Sequence, residues 1–321
     1  MFETTHFPSA KKYWHNGKFY DWSDAHIHPM TFALHYGGSV FEGIRAYRTA
    51  NGPAIFRLPE HIDRLFHSAA VIGMDVPYTK EEIIEAIKLT LRLNELESAY
   101  IRPLLFYSYG NLGLVPKYCP VDLIIGTWEW GAYLGTKAET GVSVYITSRP
   151  RFHYRQLDMN AKLGGSYVQS TIAGMEARAN GYDEAIFLNL EGNVAEGPGE
   201  NIFIYQDGCL KTNDSSESIL EGITRKSVLE MATDIGIKTT IGPITKEEFF
   251  RADEAFFSGT AVEITPIIEV TDASSSHTPS MRSTIGSGRV GEITAQLRQM
   301  FRDIVVGKIP RYKKWLTYVE K

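Results

Sequence analysis

The chain has 321 residues, 43% apolar and 22% charged, with a formal net charge of -5 and a pI of about 6.0. At roughly 150 residues per domain this predicts about two domains, each able to bury a core, and the acidic balance argues against non-specific binding to nucleic acid or anionic lipid. Two cysteines, Cys119 and Cys209, are too few for a disulfide scaffold and point to a reducing compartment. Met1–Lys12 lacks the apolar core of a signal peptide and no run is long enough to span a bilayer, so a cytoplasmic location is expected. Tyr13–Tyr20 predicts a hairpin, because Asn16-Gly17 is a strong tight-turn pair between aromatic flanks. His26, His28 and His35 lie close together, but no carboxylate or thiolate nearby completes a metal ligand set, and no metal is expected.

Phe41–Thr49 and Ala54–Leu58 predict two strands joined across Asn51-Gly52-Pro53. Pro59 suits the first turn of a helix whose apolar stripe is Ile62, Leu65, Phe66, Ala69 and Ala70. Arg64 sits at the edge of that stripe, where it either lays its stem over the core or acts as an anion clamp. Thr79-Lys80-Glu81-Glu82 is a capping box ahead of a second helix. Ala99–Tyr109 predicts a strand that places Tyr100 and Arg102 on one face, a pairing suited to a carboxylate. Pro103 predicts an edge or a bulge there. After a strand over Asp122–Trp130, the pattern breaks at Trp130-Gly131-Ala132-Tyr133-Leu134-Gly135. This gives expected boundaries of 1–129 for a small first domain, 130–140 for a linker and 141–321 for a larger second domain.

Val142–Ser148 predicts a strand, followed by a loop with Arg149, Arg151 and Arg155 among aromatics. Asp158–Tyr167 is the densest stretch. Lys162 precedes Gly164-Gly165, where the backbone can turn sharply and approach a neighbour closely. A helix follows with Val168, Ile172, Met175 and Ala179 at helical spacing, closed by Asn180-Gly181. A lysine there is either a solvated amine or, if desolvated, a nucleophile toward carbonyls. Glu184–Leu190 predicts a buried strand. Glu196, framed by Gly197-Pro198-Gly199, needs a partner: a protonated ring nitrogen, or a lysine or arginine elsewhere. Asp207-Gly208 joins a further hairpin. Gly222-Ile223-Thr224 opens a helix, with Thr224 expected as N-cap and the free amides forming a ready phosphate site. Thr245–Glu248 is another capping box, Ser258–Ala261 after a strand is a candidate anion nest, Asp272–Gly291 predicts a loop and Glu292–Val305 a closing helix.

Taken together, Ala33–Gly37, Ser39–Arg45, His61–Leu65, Tyr100–Leu104, Trp130–Tyr133, Ala161–Tyr167, Glu196–Asn201, Gly222–Arg225 and Ser258–Ile264 resemble, in order, the branched-chain amino acid aminotransferases. These are fold type IV enzymes of pyridoxal 5'-phosphate. The resemblance implies a mixed α+β chain in two domains, of the kind seen in D-amino-acid aminotransferases. It implies transfer of the amino group of leucine, isoleucine or valine to 2-oxoglutarate in a ping-pong cycle. Lys162 would carry the Schiff base and shuttle the proton, Glu196 would pair with the pyridine nitrogen, and Tyr167 would meet the phenolic oxygen. Arg64, Gly222, Ile223, Thr224 and Thr260 would hold the phosphate. Tyr36, Phe41, Gly43, Trp130 and Tyr133 would shape the side-chain pocket, Tyr100, Thr260 and Ala261 would meet the α-carboxylate, and Arg102 the distal carboxylate of glutamate. Tyr36 and Gly113-Leu114-Val115 would reach a partner subunit's site, so a homodimer or higher homo-oligomer is expected. Ser166 stands where the family commonly has asparagine, and Asp158-Met159-Asn160 departs from its usual lead-in. Related activities on this scaffold are a D-amino-acid or (R)-amine transaminase and an aminodeoxychorismate-type lyase. A non-enzymatic binding protein would have no use for the lysine.

Overall fold

The structure is a computed structural model that describes residues 7, 9–131, 134–135, 137–275 and 282–320. Residue contacts divide the chain into two units. The first comprises the chain up to Gly131 together with Ala161–Ser166 and Asp303–Lys321; the second comprises Ala132–Asn160 and Tyr167–Arg302. This departs from a simple linear division at 130–140. The lysine segment joins the first unit because its backbone bonds to that unit's strand and helix, and the C-terminus joins it by adding a strand to its sheet.

The first unit is built on an antiparallel sheet. Its strands are β1 (Lys12–His15), β2 (Lys18–Asp21), β3 (Ser39–Phe41), β4 (Ile44–Thr49), β5 (Gly52–Phe56), β6 (Ala99–Tyr107), β7 (Val121–Trp128) and the chain's last strand, β16 (Leu316–Tyr318). The order is β16-β5-β4-β6-β7-β1-β2, with β3 also on β6. The predicted first hairpin forms, with Asn16 and Gly17 both at positive φ as a tight hairpin turn demands. The expected single strand over Phe41–Thr49 is instead β3 and β4, interrupted at Glu42-Gly43. Pro103 explains the break. It lies inside β6, opposite β7, at the point where β6 changes its other partner from β4 to β3. A residue without an N–H fits that gap, so Pro103 sits at a junction within the sheet and not at an edge. Helices α1 (Phe32–Tyr36), α2 (Leu58–Val71) and α3 (Lys80–Leu93) follow their strands. Leu58 starts α2 and does not end a strand, Pro59 sits in the first helical turn, and Thr79 forms the full capping box with Glu82. The buried face of α2 is Leu58, His61, Ile62, Leu65, Ser68 and Ala69; Ala70 faces out.

The second unit carries a mixed sheet. Its strands are β8 (Val142–Ile146), β9 (Glu184–Ile186), β10 (Asn201–Gln206), β11 (Cys209–Thr212), β12 (Lys238–Ile241), β13 (Glu254–Gly259), β14 (Glu263–Asp272) and β15 (Ser283–Thr284), a short strand inside the expected final loop. The order is β12-β11-β10-β13-β14-β8-β9, with β15 on β14. The pairs β11–β12, β8–β14 and β8–β9 are parallel. Both faces are covered: Val142, Val144 and Ile146 join one apolar cluster, whereas Tyr145 joins another with Ala173, Ala177 and Phe187. The helices are α4 (Lys137–Thr140), α5 (Tyr167–Ala179), α6 (Ile223–Asp234), α7 (Lys246–Arg251) and α8 (Glu292–Val305), near whose end the division between the units falls. Thr245 caps α7 with Glu248 as the sequence predicts.

Helix α5 corrects its predicted face. Val168, Ile172 and Met175 are exposed, while Ser170, Ala173 and Ala177 are buried. Small side chains let the helix backbone lie close against β9, so the buried stripe is the one with the least apolar bulk. Helix α6 corrects another expectation. Its N-cap is Gly222, with no side-chain cap bond, and Thr224 is a buried residue inside the first turn. Among the described residues, no helix is long and apolar enough to cross a membrane.

Candidate active site

In the first unit the site begins with Lys162. Its backbone is held on both sides: the N–H donates to Ser68 Oγ (2.8 Å) and the carbonyl accepts from the Phe41 N–H (3.2 Å). Leu163 bridges to Val40. The glycines have a steric cause. Gly37, at φ 67°, packs so closely that a Cβ there would lie 2.8 Å from Gly165 Cα, and a Cβ on Gly164 would collide with Ser39 Oγ. The loop is thus pressed against the α1–β3 connection, and Lys162 Nζ lies over the Phe41 ring, 4.9 Å from its centroid.

One turn before Ser68 on α2 stands Arg64. Its Nε and Nη2 grip Glu42 at 2.6 Å and 2.9 Å, a bidentate pair, and the His61 Nδ1–H donates to the same carboxylate at 2.8 Å. Glu42 and His61 are fully buried. Burial alone would push the Glu42 carboxyl up, but the Arg64 charge and the hydrogen bonds from Arg64 and His61 together hold it well below the usual carboxylate range. For His61, burial outweighs the attraction of Glu42 and holds its pKa below the ordinary value, so the imidazole is neutral. The sequence reading did not find Glu42 or His61. The available signal was an acidic residue among Val40, Phe41, Gly43 and Ile44, in a stretch expected to be one strand.

Along β6, Tyr100 and Arg102 meet as predicted: Arg102 Nη2 donates to Tyr100 Oη at 3.0 Å. The guanidinium also covers the Phe41 ring at 4.7 Å, and its buried Nε has no hydrogen-bond partner among the described residues. Tyr100 packs on Trp130 with ring centroids 4.2 Å apart. Gly43 is required beneath it, since a Cβ there would collide with Tyr100 Oη. Phe41, Gly43, Tyr100, Arg102 and Trp130 therefore form one group. Tyr36 points elsewhere, 46% exposed, with its hydroxyl on the Leu112 carbonyl (2.9 Å). Tyr133 lies outside the described residues. The three clustered histidines contact local partners: His26 the Asp24 carbonyl, His35 the Pro29 carbonyl and His28 the Met30 N–H.

In the second unit Glu196 is buried and paired with Arg151, whose Nε and Nη2 reach Oε1 at 2.9 Å and 2.8 Å. Arg151 also lies over the Phe187 ring and approaches Ser170 Oγ and Gln169 Oε1. The arginine-rich loop that had no assignment in the sequence thus supplies the partner of Glu196. Oε2 accepts from the Leu220 N–H (3.0 Å), two residues before Gly222. Asn201 fastens this turn by donating to the Leu220 carbonyl (2.7 Å) and accepting from the Gly222 N–H (3.0 Å). A side chain on Gly222 would strike Asn201 Oδ1. The uncapped start of α6 leaves its first amides to an anion, and glutamate, turn and helix start form one connected piece. Thr260 and Ala261 lie in the turn between β13 and β14, close in sequence to Ser258, whose buried Oγ has no hydrogen-bond partner among the described residues. Tyr167 opens α5.

Taken separately, each unit carries groups suited to a phosphorylated pyridine aldehyde: in the first an amine on a constrained loop and an arginine oriented by Glu42, in the second an uncapped helix start and a buried carboxylate. Comparison with known proteins agrees. The amino-transferase class IV profile matches residues 39–270. This chain belongs to that family. A branched-chain-amino-acid aminotransferase of Pseudomonas aeruginosa is 44% identical over 308 residues, 96% of this chain and 97% of that protein. A solved T.th. branched-chain amino acid aminotransferase superposes with a TM-score of 0.89 at 41% identity, covering 97% of this chain and 99% of that one; one of its structures is a complex with N-(5'-phosphopyridoxyl)-L-glutamate. The Escherichia coli enzyme structure gives 0.91 at 39% identity, covering 97% and 100%. The fold is the mixed α+β fold type IV architecture expected from the sequence.

Proposed function

We propose that this protein is a pyridoxal-phosphate-dependent branched-chain L-amino acid aminotransferase, acting in the cytoplasm as a homodimer or higher homo-oligomer. The observation that carries the reading is the backbone clamp on Lys162, which fixes one amine above Phe41 in a chain whose relatives of 39–44% identity bear that name. The cofactor would supply an electron-withdrawing ring and an aldehyde that exchanges amino groups. Lys162 Nζ would attach it and then move the proton at the substrate α-carbon. Glu196, oriented by Arg151, would keep the ring nitrogen protonated. Arg64 and the amides of Ile223 and Thr224, with Thr260, would hold the phosphate. Tyr167 would donate to the phenolic oxygen.

Phe41, Tyr100 and Trp130 supply an apolar wall for leucine, isoleucine or valine. Arg102 at its rim, with an Nε that has no partner among the described residues, would take the distal carboxylate of glutamate or 2-oxoglutarate. One pocket with both features answers the need to accept two unlike side chains. The α-carboxylate would fall to Tyr100 and the amides of Thr260 and Ala261. The exposure of Tyr36, and of Leu114 and Val115 at 81% and 71%, supports a role for them in a partner subunit's site.

The test is to add L-valine, D-alanine and an (R)-amine separately to the yellow protein. L-valine alone should bleach it rapidly; bleaching by D-alanine or the amine in its place would transfer the assignment to the sister transaminases. Lys162→Ala should lower turnover by about 10³-fold or more with circular dichroism unchanged, and a fully active variant would refute the role of the lysine.

A further inference from the structure

We infer that Ser68 is a positioning residue, coupling the backbone of Lys162 to the helix that carries Arg64; this rests on the roles of Lys162 and Arg64 given above. The Ser68 side chain is fully buried. Its hydroxyl does two things at once: it donates to the Arg64 carbonyl one turn back on α2 (2.9 Å) and accepts from the Lys162 N–H (2.8 Å). A hydroxyl has one donor and two acceptor sites, so both bonds are allowed together. A serine that bonds back to the i−4 carbonyl in mid-helix normally gains little or bends the helix slightly. Here that bond fixes the rotamer so that the oxygen's free side receives an amide 94 residues away in sequence.

Arg64 and Ser68 are four apart, so one face of α2 presents both the guanidinium and the hydroxyl. Two routes therefore join the lysine's backbone to the proposed phosphate anchor: Ser68 through α2, and the Phe41 amide, whose neighbour Glu42 clamps the same guanidinium. Of these, Ser68 is the one that holds the Lys162 N–H, while the carbonyl accepts from the Phe41 amide. Without the hydroxyl, the part-buried Lys162 N–H loses this acceptor, and the loop must shift or admit water to replace it. Either displacement changes where the amine stands relative to Arg64.

The experiment compares holoenzyme with Ser68→Ala, Ser68→Cys and Thr90→Ala. Thr90 is an equally buried hydroxyl that donates to the Ala86 carbonyl one turn back on α3, and so it reproduces the intrahelical bond away from the lysine. Two properties are read besides activity: the rate at which pyridoxal 5'-phosphate is lost on dilution, and the pH midpoint of the visible absorbance of the lysine-linked chromophore. Ser68→Ala should lose the cofactor about tenfold faster or more and shift that midpoint. Ser68→Cys, of similar size but a weaker acceptor, should fall between. Thr90→Ala should lower the unfolding temperature and leave both readings alone. The inference is overturned if Ser68→Ala and Ser68→Cys match the wild type in both readings, or if Thr90→Ala moves them as far. If Ser68→Ala does not fold, Ser68→Cys against wild type decides the matter. Borohydride reduction and peptide mapping of the wild type separate the two levels: a label absent from residue 162 removes the underlying reading, whereas a label present with unmoved Ser68 variants removes only this one.

Discussion

Each unit of this protein contains a buried arginine–glutamate pair, and the two are built in opposite senses. In the first, Glu42 is consumed by the protein: Arg64 takes it in bidentate fashion and His61 adds a third bond, so the carboxylate serves as a brace for Arg64. In the second, Arg151 is the brace, lying over Phe187 beside Ser170 and Gln169, and it aims Glu196. On the roles proposed above, the same ion pair would orient a cation in one place and an anion in the other. The further contacts fall on different members: His61 adds to Glu42 in the first pair, whereas Phe187, Ser170 and Gln169 surround Arg151 in the second and Glu196 also accepts from the Leu220 N–H.

The contrast is most exposed to test at the second pair. Arg151→Met should cost about 3–5 kcal/mol in urea unfolding, because it leaves a buried carboxylate without its counter-ion; a loss below about 1 kcal/mol would mean that Glu196 does not depend on the pair. Glu42→Gln should distinguish the two senses. Affinity for pyridoxal 5'-phosphate should fall about tenfold while affinity for pyridoxal, which has no phosphate, is unchanged; equal losses measured by fluorescence titration would show that Glu42 braces something other than a phosphate anchor. Arg102 supplies a third case, an arginine held by Tyr100 and Phe41 in place of a carboxylate. Arg102→Ala should reduce kcat/KM for glutamate by about ten- to a hundredfold more than for leucine, and a parallel loss for both would sink its role.

The smallest effect is in pH. The folded protein keeps His61 neutral, whereas the unfolded chain protonates it below its ordinary pKa of about 6.5. The unfolded state therefore takes up the extra proton, and stability falls as pH drops through that value. Glu42, held below its ordinary pKa, adds a second loss only below about pH 4.5, when the unfolded carboxylate protonates and the folded one does not. His61→Asn should flatten the upper phase of the urea midpoint against pH and preserve the lower one. A wild-type midpoint constant from pH 8 to about 5 would contradict the buried neutral imidazole.

Much of the local structure was legible in the sequence because its causes are local. Asn16-Gly17, Asp207-Gly208 and the two Thr-x-x-Glu boxes specify their own turns and caps within four residues. Lys162, Tyr100 and Arg102 could be singled out for the same reason. The features that escaped are those set by distant chain. Nothing near Glu196 indicates that its partner is Arg151, 45 residues earlier. The burial of Ala173 and Ala177 in place of Val168 and Ile172 follows from how closely β9 is approached, which no helical periodicity contains. The split of Phe41–Thr49 depends on a proline in another strand, and α6 starts from Gly222 instead of Thr224, with the Gly222 amide held by Asn201 from β10.

The bond from the Phe41 amide to the Lys162 carbonyl also makes the lysine loop observable from outside the chemistry. Phe41 ends β3, yet its amide proton is shielded by the lysine loop and not by a neighbouring strand. Its deuterium uptake is therefore a built-in gauge of whether that loop is seated, readable without colour, substrate or turnover. A slow Phe41 amide in cofactor-free protein would mean that the seat is formed before any ligand arrives.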